Sequence, residues 1–355
     1  MSWAFSYTGI NSPFNDRQRI GITTSCPTPS ATVDLVSTAC HHDIRTFLVR
    51  PGDELAVKAA VAEVCQRPEV KPVDFRFIME LPRQEHMTPD LLSGKIEAVS
   101  KKLGVDSMYM VLLPWPAEAK DPDAEPFNRM ELTRQAKAMR NTWDVLCGLV
   151  ERKQVNFLGV RELSNPQIEA LMKPSPPQVK PPVLIAANWM KVSVWKSEMH
   201  RVRFCHSMGI QVLADFEWDL NRVNGGGAGA SDKVVEMVRK NQDGRSAMQI
   251  LTLWGVDRGL VVFPNLDHVK NRPTPKLAEE FDKERKITMD AIDSLSLLLS
   301  PLFRKKPMWK EAFALTEGEM KALDEIDGAW NNRLNEKLLR GDTKWGKEKA
   351  GGGGG

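Results

Sequence analysis

Histidine and cysteine cluster at two places in the chain, and these clusters are the first candidates for metal chemistry. Cys40 is followed directly by His41 and His42, and a second group spans His200 to His206 with a cysteine inside it. Zinc sites usually pair their ligands at short, regular spacings, which neither group shows. Since such residues on helices are most often packing or surface groups, we expect no metal site.

A glycine-rich stretch, Asn224 to Ser231, is the candidate for phosphate binding. It follows a predicted strand and precedes a predicted helix, a position where backbone amides can bind a phosphate group. It does not follow the Walker pattern, in which lysine and serine come directly after the glycines. We therefore favour a flexible loop over a phosphate-binding loop.

The apolar run Met108 to Leu113 ends on a residue that cannot do chemistry. A run without a polar face predicts a parallel strand covered on both sides, whose carboxyl end opens on a site. That end holds Pro114, which brings neither a titratable group nor a backbone donor. We therefore expect no proton transfer from this position.

Short apolar runs alternate with helical patterns along the chain, and these elements must position the candidates. The predicted strands are Ile20 to Ser25, Arg45 to Val49, Val73 to Leu81, Met108 to Leu113, Val155 to Val160, Val183 to Trp189, Ile210 to Phe216 and Leu260 to Phe263. Each strand is followed by a helical pattern, and Thr88 with Pro89 is a strong helix start. Eight such units predict an α/β fold, the (β/α)8 TIM barrel.

Composition narrows the functional classes. At 355 residues one barrel accounts for most of the chain, and 49 basic against 46 acidic residues give no electrostatic case for nucleic acid. Five scattered cysteines indicate a reducing compartment. No apolar run has the length of a membrane helix, and no signal peptide is recognisable at the N-terminus. We expect a cytoplasmic protein without a membrane partner.

Four segments resemble the aldo-keto reductase family. Val155 to Met172 is similar to its strand, Gly-Val-Ser-Asn turn and short helix, and Gly259 to Arg272 to its last strand and phosphate-binding loop. Ala312 to Asp327 resembles its terminal helix, and Leu91 to Pro116 its third helix, fourth strand and His-Trp-Pro motif. The resemblance covers about residues 20–346 and implies a barrel of the aldo-keto reductase type.

The resemblance also implies a division of the chain. Residues 1–19 form an N-terminal extension, residues 20–346 a single barrel and residues 347–355 a flexible glycine-rich tail. Within the barrel, an extended helical insertion occupies about residues 273–312. Its leucines are expected to cover the outside of the barrel, and the alternative is a surface that binds a partner protein.

The family's four catalytic positions hold other residues in this chain. Alignment of Pro-Gly-Asp-Glu with the family's Tyr-Gly-Asn-Glu places Pro51 at the tyrosine and Thr46 at the aspartate. Glu80 stands at the lysine and Pro114 at the histidine. Carbonyl reduction by hydride requires a proton donor beside the developing alkoxide, so the family's proton-donating phenol is lost. Two roles stay open for Glu80: a new general base, or a buried carboxylate paired with Arg161.

The family's cofactor positions are also replaced, and tight binding of NADP(H) is not expected. Arg161 and Glu162 stand where the family has the Ser-Asn pair that binds the nicotinamide amide, and Ala186 stands at the glutamine. Asp215 aligns with the stacking tyrosine, Asn265 with the phosphate-binding lysine and Asn271 with the phosphate-binding arginine. Phe216 is a possible substitute for the stacking ring. Loss of a ring and of charge-assisted hydrogen bonds weakens affinity on the order of a thousandfold, so only weak binding remains open.

These substitutions predict a catalytically inactive barrel that is not an enzyme and binds no cofactor. It would serve as a structural or protein-interaction subunit of a larger assembly such as an axoneme or a ribosome, in a cytoplasmic, cytoskeletal or flagellar location. The alternative is an NADP-dependent oxidoreductase with a rebuilt active site. The physical argument for an inactive barrel is that its stability depends on the packing of strands and helices, whereas catalysis depends on residues at strand ends and in loops.

Overall fold

Eight parallel strands follow one another in chain order around one sheet. In the computed structural model they are β1 Ile22–Thr23, β2 Thr46–Val49, β3 Arg76–Glu80, β4 Met108–Pro114, β5 Val155–Arg161, β6 Ala187–Lys191, β7 Gln211–Glu217 and β8 Val261–Asn265. The structure describes residues 13–14, 19–24, 26, 28–68, 70–83, 88–116, 129–172, 184–217, 247–265, 315–324 and 326.

Hydrogen bonds between the first and last strands close the sheet. The amide of Gly21 donates to the carbonyl of Val262 at 2.9 Å, and the amide of Val262 donates to the carbonyl of Arg19 at 2.7 Å. Ile20 also forms a parallel bridge with Val262. The predicted (β/α)8 barrel is confirmed.

Helices cover the outer surface of the strands. They are α1 Pro29–His41, α2 Glu54–Val64, α3 Leu92–Leu103, α4 Arg129–Glu151, α5 Asn165–Met172, α6 Met199–Ser207, α7 Ala247–Asp257 and α8 over 317–324. Gly104 ends α3 in the left-handed conformation, as its position in the sequence predicts. Within the part of the chain that the structure describes, no helix is both long and apolar enough to span a bilayer.

Several element boundaries differ from the predicted ones, and three of the differences have a clear local reason. Pro89 opens a 3-10 turn, Pro89–Leu91, before α3 begins. The helical pattern after the sixth predicted strand begins at Trp195, whereas the helix begins only at Met199, because Ser193 and Lys196 pair with each other in a turn. β6 runs on to Lys191 because residues 189–191 pair with β7. The helix predicted over Asp232 to Asn241 and the glycine-rich stretch lie outside the described residues.

Two apolar clusters hold the barrel together. The larger one lies between the strands and the helices, and the smaller one fills the barrel interior. The interior cluster consists of Phe14, Leu48, Ile78, Met110, Leu112, Ala187, Trp189, Leu213, Val261 and Phe263. On β5, Gly159 allows close packing, since a Cβ there would stand 2.7 Å from the Leu112 side chain. The interior is thus a packed core and not a channel.

The amino-terminal ends of the strands form the closed end of the barrel. Phe14, which is 1% exposed, packs edge-on against the ring of Tyr109. The Tyr109 hydroxyl donates to the carbonyl of Pro13. Residues assigned to the N-terminal extension therefore contribute to the barrel core. The division of the chain into extension, barrel and tail stays a prediction.

The predicted terminal helix is present as α8. Its first turn carries a capping box, in which the Thr316 amide donates to the Glu319 carboxylate at 2.8 Å and the Glu319 amide to the Thr316 hydroxyl at 3.2 Å. Asp324 accepts hydrogen bonds from Trp254 and Arg258. The capping box stabilises the start of α8, and the bonds to Asp324 fix α8 against α7.

A partly buried histidine lies beside a buried arginine at the closed end. His206, near the end of α6, contacts the loop before β8 at Gly259. Arg19 donates to the Gly259 carbonyl at 3.1 Å and to the Gln211 side chain at 3.3 Å. Burial, together with the charge of Arg19, lowers the pKa of His206 to about 4. Folding therefore favours the neutral imidazole.

The depressed pKa of His206 predicts a loss of stability in mild acid. The unfolded chain binds a proton at this histidine below about pH 6.5, whereas the folded chain does so only near pH 4. The free energy of unfolding should thus fall by up to roughly 3 kcal/mol from this group as pH drops through that interval. Urea unfolding of wild type and His206→Gln at several pH values checks this.

The control for that experiment is His200→Gln, which changes an exposed histidine on the same helix. It should keep the wild-type pH dependence. If His206→Gln loses stability with falling pH as steeply as wild type does, the assignment to His206 is wrong.

Candidate functional site

The carboxyl ends of the eight strands converge at one end of the barrel, which we call the barrel mouth. Side chains two apart on a strand share a face, so Glu80 points inward like Ile78 of the interior cluster. Arg161 points inward for the same reason, two residues after Gly159, whose Cα faces Leu112. The strand ends thus place a carboxylate and a guanidinium together at the mouth.

Glu80 and Arg161 form an ion pair across the mouth. Nη1 of Arg161 donates to Oε2 of Glu80, and the side chains are 21% exposed for Arg161 and 25% for Glu80. Neither forms a second hydrogen bond with another residue in the described ranges. The second carboxylate oxygen and the remaining guanidinium N–H groups are therefore available to a molecule in the mouth. Of the two roles left open for Glu80, the structure shows the pairing with Arg161, with a carboxylate that is partly exposed and not buried.

An apolar wall stands beside this pair. Pro114 ends β4 directly beside Arg161, and Leu112 lies beside Glu80. Trp115, the next residue, packs instead in the outer cluster, and its indole N–H donates to Gln135 on α4. Pro114 is thus at the mouth as predicted, where it can exclude water and cannot exchange a proton.

Thr46 lies at the other end of its strand. It is the first residue of β2 and pairs with Arg76, the first residue of β3, four positions before Glu80. At the rise of a parallel strand, that separation is about 13 Å. The Thr46 side chain is buried, and its hydroxyl has no partner among the described residues. The structure therefore does not bring Thr46 to the mouth.

Arg50 is the β2-side residue that stands level with Glu80. Val49 pairs with Met79, so the next residues along the two strands are Arg50 and Glu80. The Arg50 amide donates to the Thr24 hydroxyl at 2.9 Å, and Pro51 follows in an exposed turn. Alignment of motifs missed Arg50, although a charge at the end of the apolar run Phe-Leu-Val is a usable signal.

The positions aligned with the family's amide-binding residues separate in the structure. Arg161 and Glu162 both lie at the end of β5, and Glu162 has a φ of 55°. Ala186 lies before β6, and its carbonyl accepts from the amide of Gln211, the first residue of β7. Ala186 is therefore near the closed end. Arg161 is the residue of this set that is placed to meet a molecule in the mouth.

The stacking position offers no ring. Asp215 is 7% exposed and lies between Lys191 and Phe263 in register. Phe216 points out of the barrel and packs against Trp254 of α7, with ring centroids 6.0 Å apart. The expectation that Phe216 replaces the stacking tyrosine is wrong, because successive side chains on a strand face opposite sides.

Of the two residues aligned with the family's phosphate-binding pair, Asn265 is the last residue of β8, and Asn271 lies outside the described residues. At the nicotinamide end, the open N–H groups of Arg161 fit a carboxamide oxygen, whereas the position aligned with the stacking tyrosine holds Asp215. The residues present fit a dinucleotide held with fewer contacts than the family pattern implies.

The histidine and cysteine groups occupy structural positions. Cys40 and Cys205 are buried under the helices, and burial raises the pKa of their thiols to about 12 and about 11. His206 lies at the closed end. No group of three or more metal-ligating side chains was found among the described residues.

Two known proteins with similar sequences are oxidoreductases by name. No family model matches the chain. It is 26% identical over 211 residues to a glycerol 2-dehydrogenase (NADP(+)) of Hypocrea jecorina, covering 57% of this chain and 63% of that protein. An aldo/keto reductase of Synechocystis sp. is 23% identical over 225 residues, covering 60% and 65%. The chain thus spans less than two thirds of the length of each of these relatives.

Solved structures agree on the fold. An aldo/keto reductase from Brucella melitensis superimposes with a TM-score of 0.60 at 17% identity, covering 87% of this chain and 95% of that one. A Bombyx mori aldo-keto reductase in complex with NADP gives 0.59 at 21% identity, covering 86% and 88%. The fold is the aldo-keto reductase type of TIM barrel. The two sequence relatives carry the names of a dehydrogenase and an aldo/keto reductase, and this chain is similar to each over part of its length.

These comparisons correct one expectation. The substitutions at the catalytic positions predicted a protein that is not an enzyme. The relatives and structural neighbours carry the names of reductases and a dehydrogenase, which points to an enzyme. Nothing in the similarities supports the expected role as a structural or complex subunit.

The ion pair at the mouth predicts a measurable coupling between its members. Glu80→Gln and Arg161→Met should each lower the free energy of unfolding, and the double variant should lower it by less than their sum. A partly exposed pair accounts for a coupling of up to about 1 kcal/mol. Urea unfolding of the four proteins at low salt gives this value, and strictly additive losses would contradict the pairing.

Proposed function

We propose that the chain is an NADP-dependent oxidoreductase of the aldo-keto reductase type with a rebuilt active site, which interconverts an alcohol and a carbonyl group. The observation that carries the proposal is the Glu80–Arg161 pair at the barrel mouth. Its position supports a catalytic role, since TIM-barrel chemistry takes place at the carboxyl ends of the strands. The family of the relatives supports the reaction class.

Glu80 would exchange the proton. In the oxidation of an alcohol, its carboxylate accepts the hydroxyl proton through the oxygen that Arg161 does not hold. In the reverse direction the same carboxyl group returns that proton to the carbonyl oxygen. Glu80 thus performs the task that the family assigns to its tyrosine.

Arg161 would orient the reacting oxygen. One of its nitrogens holds Glu80, and its other N–H groups can donate to the substrate oxygen on which negative charge develops. Pro114 supplies an apolar surface beside this pair. When it is bound, NADP(H) supplies the hydride transfer to or from the substrate carbon.

The cofactor would bind more weakly than the family pattern implies. Arg161 would hold the carboxamide, and Asp215 cannot stack on the nicotinamide ring as tyrosine does. We expect saturation at concentrations above the usual micromolar range.

A protein partner and a cytoplasmic, cytoskeletal or flagellar location stay predictions. The insertion over residues 273–312, on which the expected partner surface depends, lies outside the described residues.

Turnover with NADP+ and a set of polyols and secondary alcohols, and with NADPH and the matching carbonyl compounds, tests the proposal. Glu80→Gln should lower kcat on the order of a hundredfold or more while KM changes little, because the proton acceptor is lost after binding. The absorbance of the reduced nicotinamide reports the rate, and quenching of its fluorescence reports cofactor binding.

The matched control is Asp324→Asn, which breaks the Arg258–Asp324 pair on the outside of the barrel. It should leave kcat and KM at wild-type values. Turnover that Glu80→Gln does not slow, or a complete lack of NADP(H) binding at millimolar concentration, would refute the proposed function.

A further inference from the structure

The turn that follows Arg161 is held in an unfavourable backbone conformation. Glu162 has a φ of 55°, in the left-handed region that residues with a side chain rarely adopt. Glu198, the residue before α6, has a φ of 49°. Strained residues of this kind persist only where their surroundings hold them in place, and they concentrate at functional sites.

Several hydrogen bonds fix the first of these turns. The Glu162 amide donates to the Trp189 carbonyl at 2.7 Å, and the Lys191 amide donates to Oε1 of Glu162 at 2.9 Å. The side-chain amide of Asn188 donates to the Leu163 carbonyl at 3.0 Å. The two residues after Arg161 are thus tied to β6.

Arg201 on α6 connects the two strained turns. Its Nη2 donates to the Leu163 carbonyl at 3.1 Å and lies 3.7 Å from Oε2 of Glu162. Its Nη1 lies 3.5 Å from Oε2 of Glu198. The Arg201 side chain is only 15% exposed, so these contacts are poorly screened by solvent. A single guanidinium therefore holds both turns at once.

We infer that Arg201 is a positioning residue for Arg161. By holding the Glu162–Leu163 turn, it fixes the direction in which the last residue of β5 projects into the mouth, and therefore the contact between Arg161 and Glu80. Arg201 does not itself touch the reacting groups. This inference rests on the proposed function for its catalytic consequence, whereas its structural consequence can be measured without turnover.

Arg201→Met tests the inference through the coupling between Glu80 and Arg161 in urea unfolding. If Arg201 aims Arg161, this coupling should disappear when the four-protein cycle is repeated in the Arg201→Met background. A residue that only stabilises α6 would lower all four values equally and leave the coupling intact, and that result would overturn the inference.

The kinetic arm separates positioning from general destabilisation. Arg201→Met should lower kcat on the order of ten- to a hundredfold in the wild-type background, because a displaced catalytic group loses its orientation. It should lower kcat little further when Arg161 is already methionine. Equal losses in both backgrounds would overturn the inference. If the coupling is lost in the Arg201→Met background but Glu80→Gln does not slow turnover, the inference is supported and the proposed function is refuted.

Two further variants keep the test decisive. Lys196→Met removes a cation that contacts Glu198 at 3.1 Å on the same turn, and it should change neither the coupling nor kcat. If Arg201→Met does not fold, Glu162→Gln gives a milder test. It keeps an acceptor for the Lys191 amide while it removes the charge facing Arg201, and it should reduce the coupling in part.

Discussion

In a closed barrel of parallel strands, every second side chain points inward, and the inward residues at the carboxyl ends of all strands meet in one small space. Most inward positions here carry apolar groups that fill the interior. The last ones on β3 and β5 carry opposite charges, Glu80 and Arg161, which pair across the mouth. This alternation decides which substituted residues can act together: Glu80 and Arg161 meet, whereas Thr46 is at the closed end and Phe216 faces a helix.

The pair depends on backbone as well as on side chains. A carboxylate and a guanidinium at the mouth form a usable acid–base arrangement only if the guanidinium has a fixed direction. Here the turn after β5 is held in a left-handed conformation by contacts from β6 and from Arg201 on α6. Outer helices of such barrels mainly cover the strands, and α6 adds a contact that reaches the residue next to the site.

The names of the relatives contradict the expectation that the chain is not an enzyme, which rested on comparison with a motif. Comparison with a motif shows which groups are missing, and it does not show what the replacing residues can do together. Glu80 reverses the charge at the family's lysine position, and Arg161 brings a charge to a position where the family has serine. Each looks like a loss when taken alone. Together they form an ion pair with open hydrogen-bonding groups at the mouth.

Much of the fold was determined by the sequence itself. Apolar runs such as Met108 to Leu113, the helix end at Gly104 and the capping pattern at Thr316 are local signals, because periodicity and end chemistry act over a few residues. The pairing of Glu80 with Arg161 was one of the two roles that the aligned strand ends left open for Glu80. Only the tertiary structure decided that Arg50 lies level with Glu80, that Phe14 is buried and that Glu162 contacts Arg201. They depend on strand register and on contacts between segments far apart in the chain, which no local pattern encodes.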